Sequence, residues 1–410
     1  MEQFVADQIK YGLRHIPGNL LKSFFIPAFS DETKALRRRG FIRGVCHPNE
    51  NYAQLRNASI RWVRFDIPFP YDENGRLADG YLRFKERAET YAREGFRVMA
   101  VTPYPRDYIA AGIDVRKPEN DDKLKGIALF LLDDLKDTVA AFQITNEMGI
   151  PHFTLPLTPG EASRFIGVQL RAMYPARGGI LIGYNSAGPQ ADLHARLKPY
   201  LRYCDYVGVD IYVGCFANFG GCLWFYDAVL RYLWAFTRKP IFLQEFGYIS
   251  GGEAKSQQEK QAILKACGAD SQEQAKKNIA AFAARLPEKL RRHIEKVGKG
   301  DESRYYDLIF KSNLINHFYR ELPKRTRIPG YSHTPQGQAD FYRDILPRLY
   351  RMKYLCAAFI YCYADSNQCY ICGQDDCPTE TRWGLVDCGG KEKPSYFAVK
   401  KAFGAMGEGD

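Results

Sequence analysis

The sequence predicts an α/β fold, a closed (β/α)8 TIM barrel with a helical insertion between its seventh and eighth strands. Short apolar runs alternate with helical segments eight times along the 410 residues. Runs that are apolar on both faces and alternate with helices are typical of parallel sheets. No Gly-x-Gly-x-x-Gly follows the first run, as it would in an open dinucleotide-binding sheet. We therefore expect the sheet to close into a barrel that forms a single domain over 1–410.

Eight segments are predicted strands because each is a short apolar run between more polar segments. In chain order they cover 41–46, 60–65, 96–103, 142–145, 179–185, 206–212, 240–244 and 355–361.

The segments between these strands show helical periodicity. In 122–137, for example, Leu124, Ile127 and Leu131 fall on one face of a helix. The predicted helices of the barrel cover 52–57, 81–94, 122–137, 161–173, 191–203, 223–236, 337–351 and 395–403.

One segment departs from this alternation of strands and helices. About 110 residues separate the seventh and eighth strands, where a bare barrel needs far fewer. Within the insertion at about 253–335, residues 253–322 are rich in Ala, Gln, Lys, Glu and Leu, which predicts several helices. Because the segment follows a barrel strand, it is a candidate for a lid, a subsite wall or a dimer contact. A solvated helical decoration is the alternative.

Composition and charge exclude some classes of protein. The net charge is +11, and residues 251–340 alone hold 17 Lys/Arg against 11 Asp/Glu. No nucleic-acid-binding motif accompanies this basic segment, so we expect no nucleic-acid partner. No signal peptide and no 18-residue apolar run is visible, so we expect a cytoplasmic protein without a membrane partner. Homo-oligomerisation stays open.

Four cysteines fall close together near the C-terminus: Cys369, Cys372, Cys377 and Cys388. Four thiolates are a possible zinc site. A second Cys-x-x-Cys pair is missing, so a loop with unpaired thiols or a disulfide is the alternative. We predict no metal and no cofactor in the functional site itself.

Two glutamates carry the functional prediction. Glu147 follows the fourth strand and Glu245 follows the seventh. A carboxylate at the tip of a buried strand is costly unless it has a partner or a role. The carboxyl ends of barrel strands meet at one mouth, so the two acids are expected to face each other there. A second Asn-Glu pair, at Asn49 and Glu50, lies in a loop to which we assign no chemistry.

In this arrangement the chain resembles the clan A retaining glycoside hydrolases. These are (β/α)8 enzymes with an acid/base on the fourth strand and a nucleophile on the seventh. The resemblance covers roughly 40–400 apart from the insertion. Asn146 and Glu147 match the Asn-Glu pair of the family, and Glu245 matches its nucleophile.

Two further positions match the family. Arg64, in Trp-Val-Arg-Phe, matches the arginine of the second strand that holds the nucleophile carboxylate. Tyr212 matches the tyrosine of the sixth strand that hydrogen-bonds the same carboxylate. An arginine cation favours the ionised form of a neighbouring carboxyl group. Each residue taken alone has a structural alternative, an ordinary ion pair for Arg64 and a core position for Tyr212.

The sequence departs from the family pattern at two positions. Tyr361 stands where a tryptophan is usual, and Asp210 stands where many members carry a histidine. Both positions bear on sugar specificity. Trp383 is a candidate for the missing aromatic platform. Other candidates for sugar stacking near predicted strand tips, with core positions as the alternative, are Trp62, Tyr104, Tyr184, Tyr248 and Tyr363.

The resemblance implies a retaining β-glycosidase that acts on oligosaccharides or small glycosides by double displacement. Glu147 would be the acid/base and Glu245 the nucleophile. A β-glycosidase for acidic sugars (uronic or phosphorylated) and a non-catalytic carbohydrate-binding barrel are the alternatives. A metal-dependent hydrolase would need clustered histidines, and the seven histidines include no His-x-His pair.

Overall fold

Eight parallel strands form one closed barrel in the order β1 to β8. The computed structural model describes residues 2–27, 29–215, 221–322 and 324–407. The closed parallel barrel confirms the predicted fold class. The strands are β1 Ile42–Cys46, β2 Trp62–Asp66, β3 Arg97–Val101, β4 Val139–Ile144, β5 Leu181–Tyr184, β6 Tyr206–Ile211, β7 Ile241–Phe246 and β8 Leu355–Ile360.

Helices precede, connect and follow the strands of the barrel. Those before β7 are α1 Glu2–Lys22, α2 Asp31–Arg38, α3 Tyr52–Asn57, α4 Asp79–Arg93, α5 Pro105–Ala110, α6 Asp121–Asp134, α7 Pro151–Thr154, α8 Pro159–Ala176, α9 Ala191–Leu197 and α10 Trp224–Thr237. Those after β7 are α11 Gln257–Ala266, α12 Gln272–Lys277, α13 Ile279–Ala283, α14 Glu288–Gly298, α15 Tyr305–Phe310, α16 Leu314–Tyr319, α17 Pro335–Arg351, α18 Pro378–Thr381 and α19 Pro394–Gly404.

Local sequence signals explain where several helices begin. Thr158 caps α8, accepting from the Glu161 backbone N–H, while the Glu161 carboxylate accepts from the Thr158 backbone N–H. Ser256 and Glu259 form the same reciprocal pair at the start of α11. Each pair satisfies backbone N–H groups that have no partner inside the helix. These capping boxes fix the boundary between a βα loop and the helix that follows it.

Two N-terminal helices, α1 and α2, precede the first strand and were not predicted. Helix α1 packs against α9 and α10 on the outside of the barrel. It contains Pro17 and leaves Leu13 and Leu21 exposed, so its sequence lacks a clean apolar face. No helix in the described part of the chain is long and apolar enough to cross a membrane.

The seventh strand is longer than predicted. It runs to Phe246, so Glu245 lies within β7 and pairs with Asp210 of β6 rather than following the strand. The pairing shifts by one residue between Val209 and Asp210, a bulge in the β6–β7 ladder. Bulges of this kind re-aim side chains at the rim of a barrel. This one places two carboxyl groups side by side at the mouth.

Large aromatic rings fill the lower part of the barrel interior. Tyr206 and Phe242 stack with their ring centroids 4.0 Å apart. Trp62 packs edge-on against Phe359. Gly44 makes room for that ring, because a Cβ there would lie 2.2 Å from it. With the lower interior packed, the space for a ligand is at the C-terminal mouth.

Helices α11 to α16, between β7 and β8, have a hydrophobic core of their own. Buried apolar residues from Leu264 to Tyr319 form a cluster separate from the barrel core. Three cysteines from the loop after β8 complete this cluster: Cys369, Cys372 and Cys377. The helical segment is therefore packed onto the loop that follows β8.

Candidate active site

A cavity of about 760 Å³ opens at the C-terminal mouth of the barrel. The predicted site residues that line it are Asn146, Glu147, Asp210, Tyr212, Glu245 and Tyr361. Because these residues come from the ends of β4, β6, β7 and β8, the closure of the barrel is what brings them together.

Two side chains hold the carboxylate of Glu245. The Nη1 of Arg64 donates to Oε1 over 2.5 Å, and the hydroxyl of Tyr212 donates to Oε2. Burial raises the pKa of Tyr212 well above its usual value, and the charge of Glu245 adds to this effect. The phenol therefore stays protonated and remains a donor. Both carboxylate oxygens thus have a fixed partner, which orients the group.

Arg64 is itself fixed by two more acceptors. Its Nε donates to Oε1 of Gln143, and its Nη2 donates to Oδ1 of Asn146, each over 2.8 Å. The Arg64 side chain is 2% exposed and that of Glu245 is 11% exposed. A buried guanidinium that donates to several acceptors is held rigidly, so it holds the carboxylate of Glu245 in a fixed position.

Replacing Arg64 by methionine should lower the free energy of unfolding by about 3–5 kcal/mol, because it leaves a buried carboxylate without its counter-charge. Denaturant unfolding measures this loss. The double variant Arg64→Met/Glu245→Gln removes the orphaned charge and should recover part of the stability. Equal losses in the single and double variants would show that the ion pair does not carry the effect.

The amide of Asn146 has a defined orientation. Its Oδ1 accepts from Arg64, from Nε2 of Gln143 and from Nδ2 of Asn185, each over 2.8 Å. With the oxygen turned to these three donors, the Nδ2 group is left to donate toward the cavity.

Glu147 lies beside Asn146 in a strained backbone conformation. Its φ is +46°, in the left-handed region that non-glycine residues rarely adopt. Its backbone N–H donates to Oδ1 of Asn185 over 2.9 Å, which holds the turn in place. The sequence identified Asn185 only as the end of a strand. In the structure, Asn185 positions the backbone of Glu147 and the side-chain amide of Asn146.

The electrostatic environment keeps Glu147 protonated at neutral pH. Burial raises its pKa to about 8, with a further contribution from the negative charge of Glu245. Arg64 and a hydrogen bond with Asp210 oppose this rise. A carboxyl group with such a pKa is an effective proton donor near neutrality.

Asp210 lies between the two glutamates. Its carboxyl group is close enough to Glu147 for a hydrogen bond, and its Oδ2 accepts from Nδ2 of Asn185 over 2.6 Å. Burial raises the pKa of Asp210 well above its usual value, and the charges of Glu245 and Glu147 add to this. Asp210 and Glu147 are therefore expected to share protons rather than ionise together.

Aromatic rings form the side of the cavity next to Glu245. Tyr361 makes edge-on contacts with Tyr212 and His47, with centroids 5.7 and 5.5 Å apart. Trp383 packs against both tyrosines but is 1% exposed and does not line the cavity. The expectation that Trp383 presents a sugar platform is therefore wrong. Its indole N–H donates to the Thr379 carbonyl, which holds the ring behind the wall.

Only one of the five other aromatic candidates reaches the cavity, since Tyr104 lines it. Trp62 belongs to the packed lower interior. The prediction of sugar stacking is wrong for the remaining three, which are fully buried core residues: Tyr184, Tyr248 and Tyr363.

Several lining residues were not identified from the sequence. Glu380 and Tyr370 come from the region after β8, and His293 comes from α14 in the segment between β7 and β8. Burial raises the pKa of Glu380 to about 8. None of these residues lies at a strand end, so strand counting gives no signal for them.

A comparison with models of known protein families found no match, and neither did a comparison with curated proteins. Many solved structures share the fold, and glycoside hydrolases are among them. A GH53 catalytic domain from Ignisphaera aggregans matches with TM-score 0.57 and 17% identity, over 95% of this chain and 98% of that one.

Two further matches cover less of their own chains. A family 39 glycoside hydrolase from Bacteroides cellulosilyticus WH2 matches with TM-score 0.54 and 13% identity, over 90% of this chain and 64% of that one. A GH2 β-galacturonidase from Eisenbergiella tayi, bound to galacturonate, has TM-score 0.51 and 11% identity, over 90% of this chain and 52% of that one. The chain therefore shares the fold of these glycoside hydrolases.

Proposed function

We propose that the protein is a retaining β-glycosidase that hydrolyses O-glycosidic bonds by double displacement. The single observation that carries this proposal is the unequal pair of glutamates at the barrel mouth. Glu245 is clamped as a carboxylate by Arg64 and Tyr212. Glu147, in the same cavity, has a pKa raised to about 8. One acid is suited to attack and the other to give a proton.

In the first step an oxygen of Glu245 attacks the anomeric carbon and forms a glycosyl-enzyme ester. Glu147 gives its proton to the departing glycosidic oxygen, so the bond breaks as a neutral alcohol leaves. Ester formation removes the negative charge of Glu245. Because that charge contributes to the high pKa of Glu147, the pKa falls once the ester exists.

In the second step Glu147 acts as a base. Ionised Glu147 takes a proton from water, which attacks the anomeric carbon and releases Glu245 and the sugar. Asn146 supports both steps, because its Nδ2 is oriented to donate to a sugar 2-OH, a hydrogen bond that strengthens in the transition state.

The charges of the cavity favour a neutral sugar over an acidic one. Five carboxyl groups line it: Asp66, Glu147, Asp210, Glu245 and Glu380. Burial raises the pKa of Glu147, Asp210 and Glu380, so these three carry less negative charge near neutral pH than ordinary carboxylates. Burial lowers the pKa of His152 and His293, two of the three lining histidines, so their imidazoles are neutral near pH 7. Arg106 is the lining arginine, and it lies 3.8 Å from Asp107. Among the described lining residues, a uronate would therefore find no lysine or arginine without an acidic partner.

Activity should fall as the pH rises through about 8, because Glu147 then loses the proton that it gives to the leaving group. The pH profile of kcat/KM measures this alkaline limb. A substrate with a dinitrophenolate leaving group needs no proton, so its profile should lack the limb. The same limb with both leaving groups would contradict the role of Glu147.

A panel of chromogenic α- and β-glycosides tests the proposal and identifies the sugar. We expect turnover of β-glycosides of a neutral sugar, and none of the α-glycosides. Preference for a uronide would favour the acidic-sugar alternative. Saturable binding of β-glycosides without turnover would favour the carbohydrate-binding alternative.

We further propose a cytoplasmic location, since eleven cysteines suit a reducing compartment.

A further inference from the structure

We propose that His317, Cys369, Cys372 and Cys377 bind one Zn²⁺ ion in a buried tetrahedral site outside the catalytic cavity. All four residues are buried, and their ligand atoms lie within 4.8 Å of one another. Three thiolates and one imidazole are a ligand set that structural zinc sites use.

The interatomic distances fit this coordination. Nδ1 of His317 lies 3.5 Å from Sγ of Cys369 and 3.4 Å from Sγ of Cys377. Zinc bonds to sulfur and nitrogen in a regular tetrahedron place those atoms about 3.6 Å apart, and two sulfurs about 3.8 Å apart. The two distances from the imidazole match this geometry, and all four ligand atoms lie within 4.8 Å of one another.

The backbone of the cysteine loop is shaped for metal binding. The N–H of Cys369 donates to the Gln374 carbonyl over 2.9 Å, and that of Gly373 donates to the Cys369 carbonyl over 2.8 Å. The N–H of Cys372 points at Sγ of Cys369 over 3.4 Å. An N–H group aimed at a sulfur atom stabilises the thiolate that zinc needs. The turn therefore presents the first two sulfurs toward the same side.

His317 separates this cluster from an ordinary group of buried thiols. Buried cysteines often behave as small apolar side chains, but an imidazole among them needs polar partners. The Nδ1 atom of His317 lies within hydrogen-bond distance of the sulfurs of Cys369 and Cys377. The structure also replaces the fourth cysteine considered from the sequence, since Cys388 is exposed and lies outside the cluster.

The site joins two segments that are distant in sequence. His317 belongs to α16, and its carbonyl accepts from Nε2 of Gln374 over 3.3 Å. Arg320, three residues later, pairs with Asp376 over 3.1 Å. Zinc would bond to one residue of α16 and to three residues of the cysteine loop, and so link the two segments. It would fix the helices that follow β7 onto the loop that follows β8.

The same loop forms part of the catalytic cavity. Tyr370 and Ile371, the two residues between the first pair of cysteines, line that cavity. A four-coordinate zinc has no open position, so we assign it a structural role and no step of the reaction. Binding to three thiols and a neutral imidazole releases the thiol protons to solvent. The metal thereby holds the cavity wall in place.

Metal analysis of the full-length protein tests this site. Wild type purified under reducing conditions from zinc-supplemented medium should contain about one zinc per chain, as a single closed site requires. His317→Ala and Cys372→Ser should lose this zinc. The matched control Cys388→Ser should keep it, since that thiol is exposed and outside the cluster.

Reconstitution with Co²⁺ keeps the test valid even where a ligand variant fails to fold. Wild type stripped by a chelator should bind one Co²⁺ per chain, with thiolate charge-transfer and tetrahedral ligand-field absorption that added Zn²⁺ abolishes. Four results would overturn the assignment. They are no metal in either experiment, iron in place of zinc, zinc retained in both ligand variants, or a Cys369–Cys372 disulfide in the reduced preparation.

Discussion

Replacing Glu245 by glycine should lower kcat/KM by about 10⁴-fold or more, because the variant lacks the atom that attacks the anomeric carbon. The space left by the side chain lies under Arg64 and Tyr212, which are donors to any anion that enters it. Added azide should therefore restore turnover of an activated β-glycoside. The product should be the α-glycosyl azide, because azide attacks from the face that Glu245 occupies.

The control for this variant is Glu50→Ala. Glu50 belongs to the second Asn-Glu pair and is exposed outside the cavity, so its loss should leave kcat/KM unchanged. Full activity of Glu245→Gly, or azide rescue that yields the β-azide, would remove Glu245 from the role of nucleophile.

Replacing Glu147 by alanine should lower kcat/KM by about 10²- to 10⁴-fold for substrates with poor leaving groups, the range of general acid catalysis. With a dinitrophenolate leaving group the first step needs no proton and should remain fast. The glycosyl-enzyme then accumulates, because no base activates water for the second step. Azide needs no base, so it should restore turnover and yield the β-glycosyl azide.

The two azide products distinguish the roles of the glutamates. An α-azide from the Glu245 variant and a β-azide from the Glu147 variant are expected together. Equal losses on all leaving groups in the Glu147 variant would contradict its role as an acid/base. Such a result would instead indicate that the Glu147 side chain maintains the fold of the mouth.

The barrel and the two glutamates were predictable from the sequence, because strand and helix periods alternate and strand ends converge in a closed parallel sheet. The contacts of Arg64 and Tyr212 with Glu245 were expected from the family resemblance, and the structure contains both. The argument from converging strand ends depends only on the order of the strands along the chain. It needs no knowledge of side-chain packing between them.

The aromatic predictions failed where depth inside the barrel mattered. Trp62 lies two residues before Arg64 and points to the same face of β2. Each residue of a strand advances about 3.3 Å, so Trp62 lies about 7 Å deeper. There it packs with Phe359 below the cavity. A sequence pattern gives the face of a strand but not the height at which packing ends and the cavity begins.

The roles of residues that depend on long-range contacts could also not be predicted from the sequence. His317 lies 52 positions before Cys369, so cysteine spacing alone suggested the exposed Cys388 as a fourth ligand. Asn185 bonds to Glu147, Asn146 and Asp210, all of them residues of other strands or their ends. Nothing in the local sequence of either residue predicts these partners.

The most direct test of the central claim is to identify the residue that carries the glycosyl group. Wild type should be incubated with the 2-deoxy-2-fluoro derivative of the β-glycoside that it hydrolyses best, with dinitrophenolate as the leaving group. Fluorine at C2 slows the second step, so one glycosyl group per chain should accumulate. Peptide mapping by mass spectrometry should place it on Glu245. Attachment to another residue, or hydrolysis of β-glycosides with no covalent adduct and a product that first appears as the α-anomer, would contradict the account.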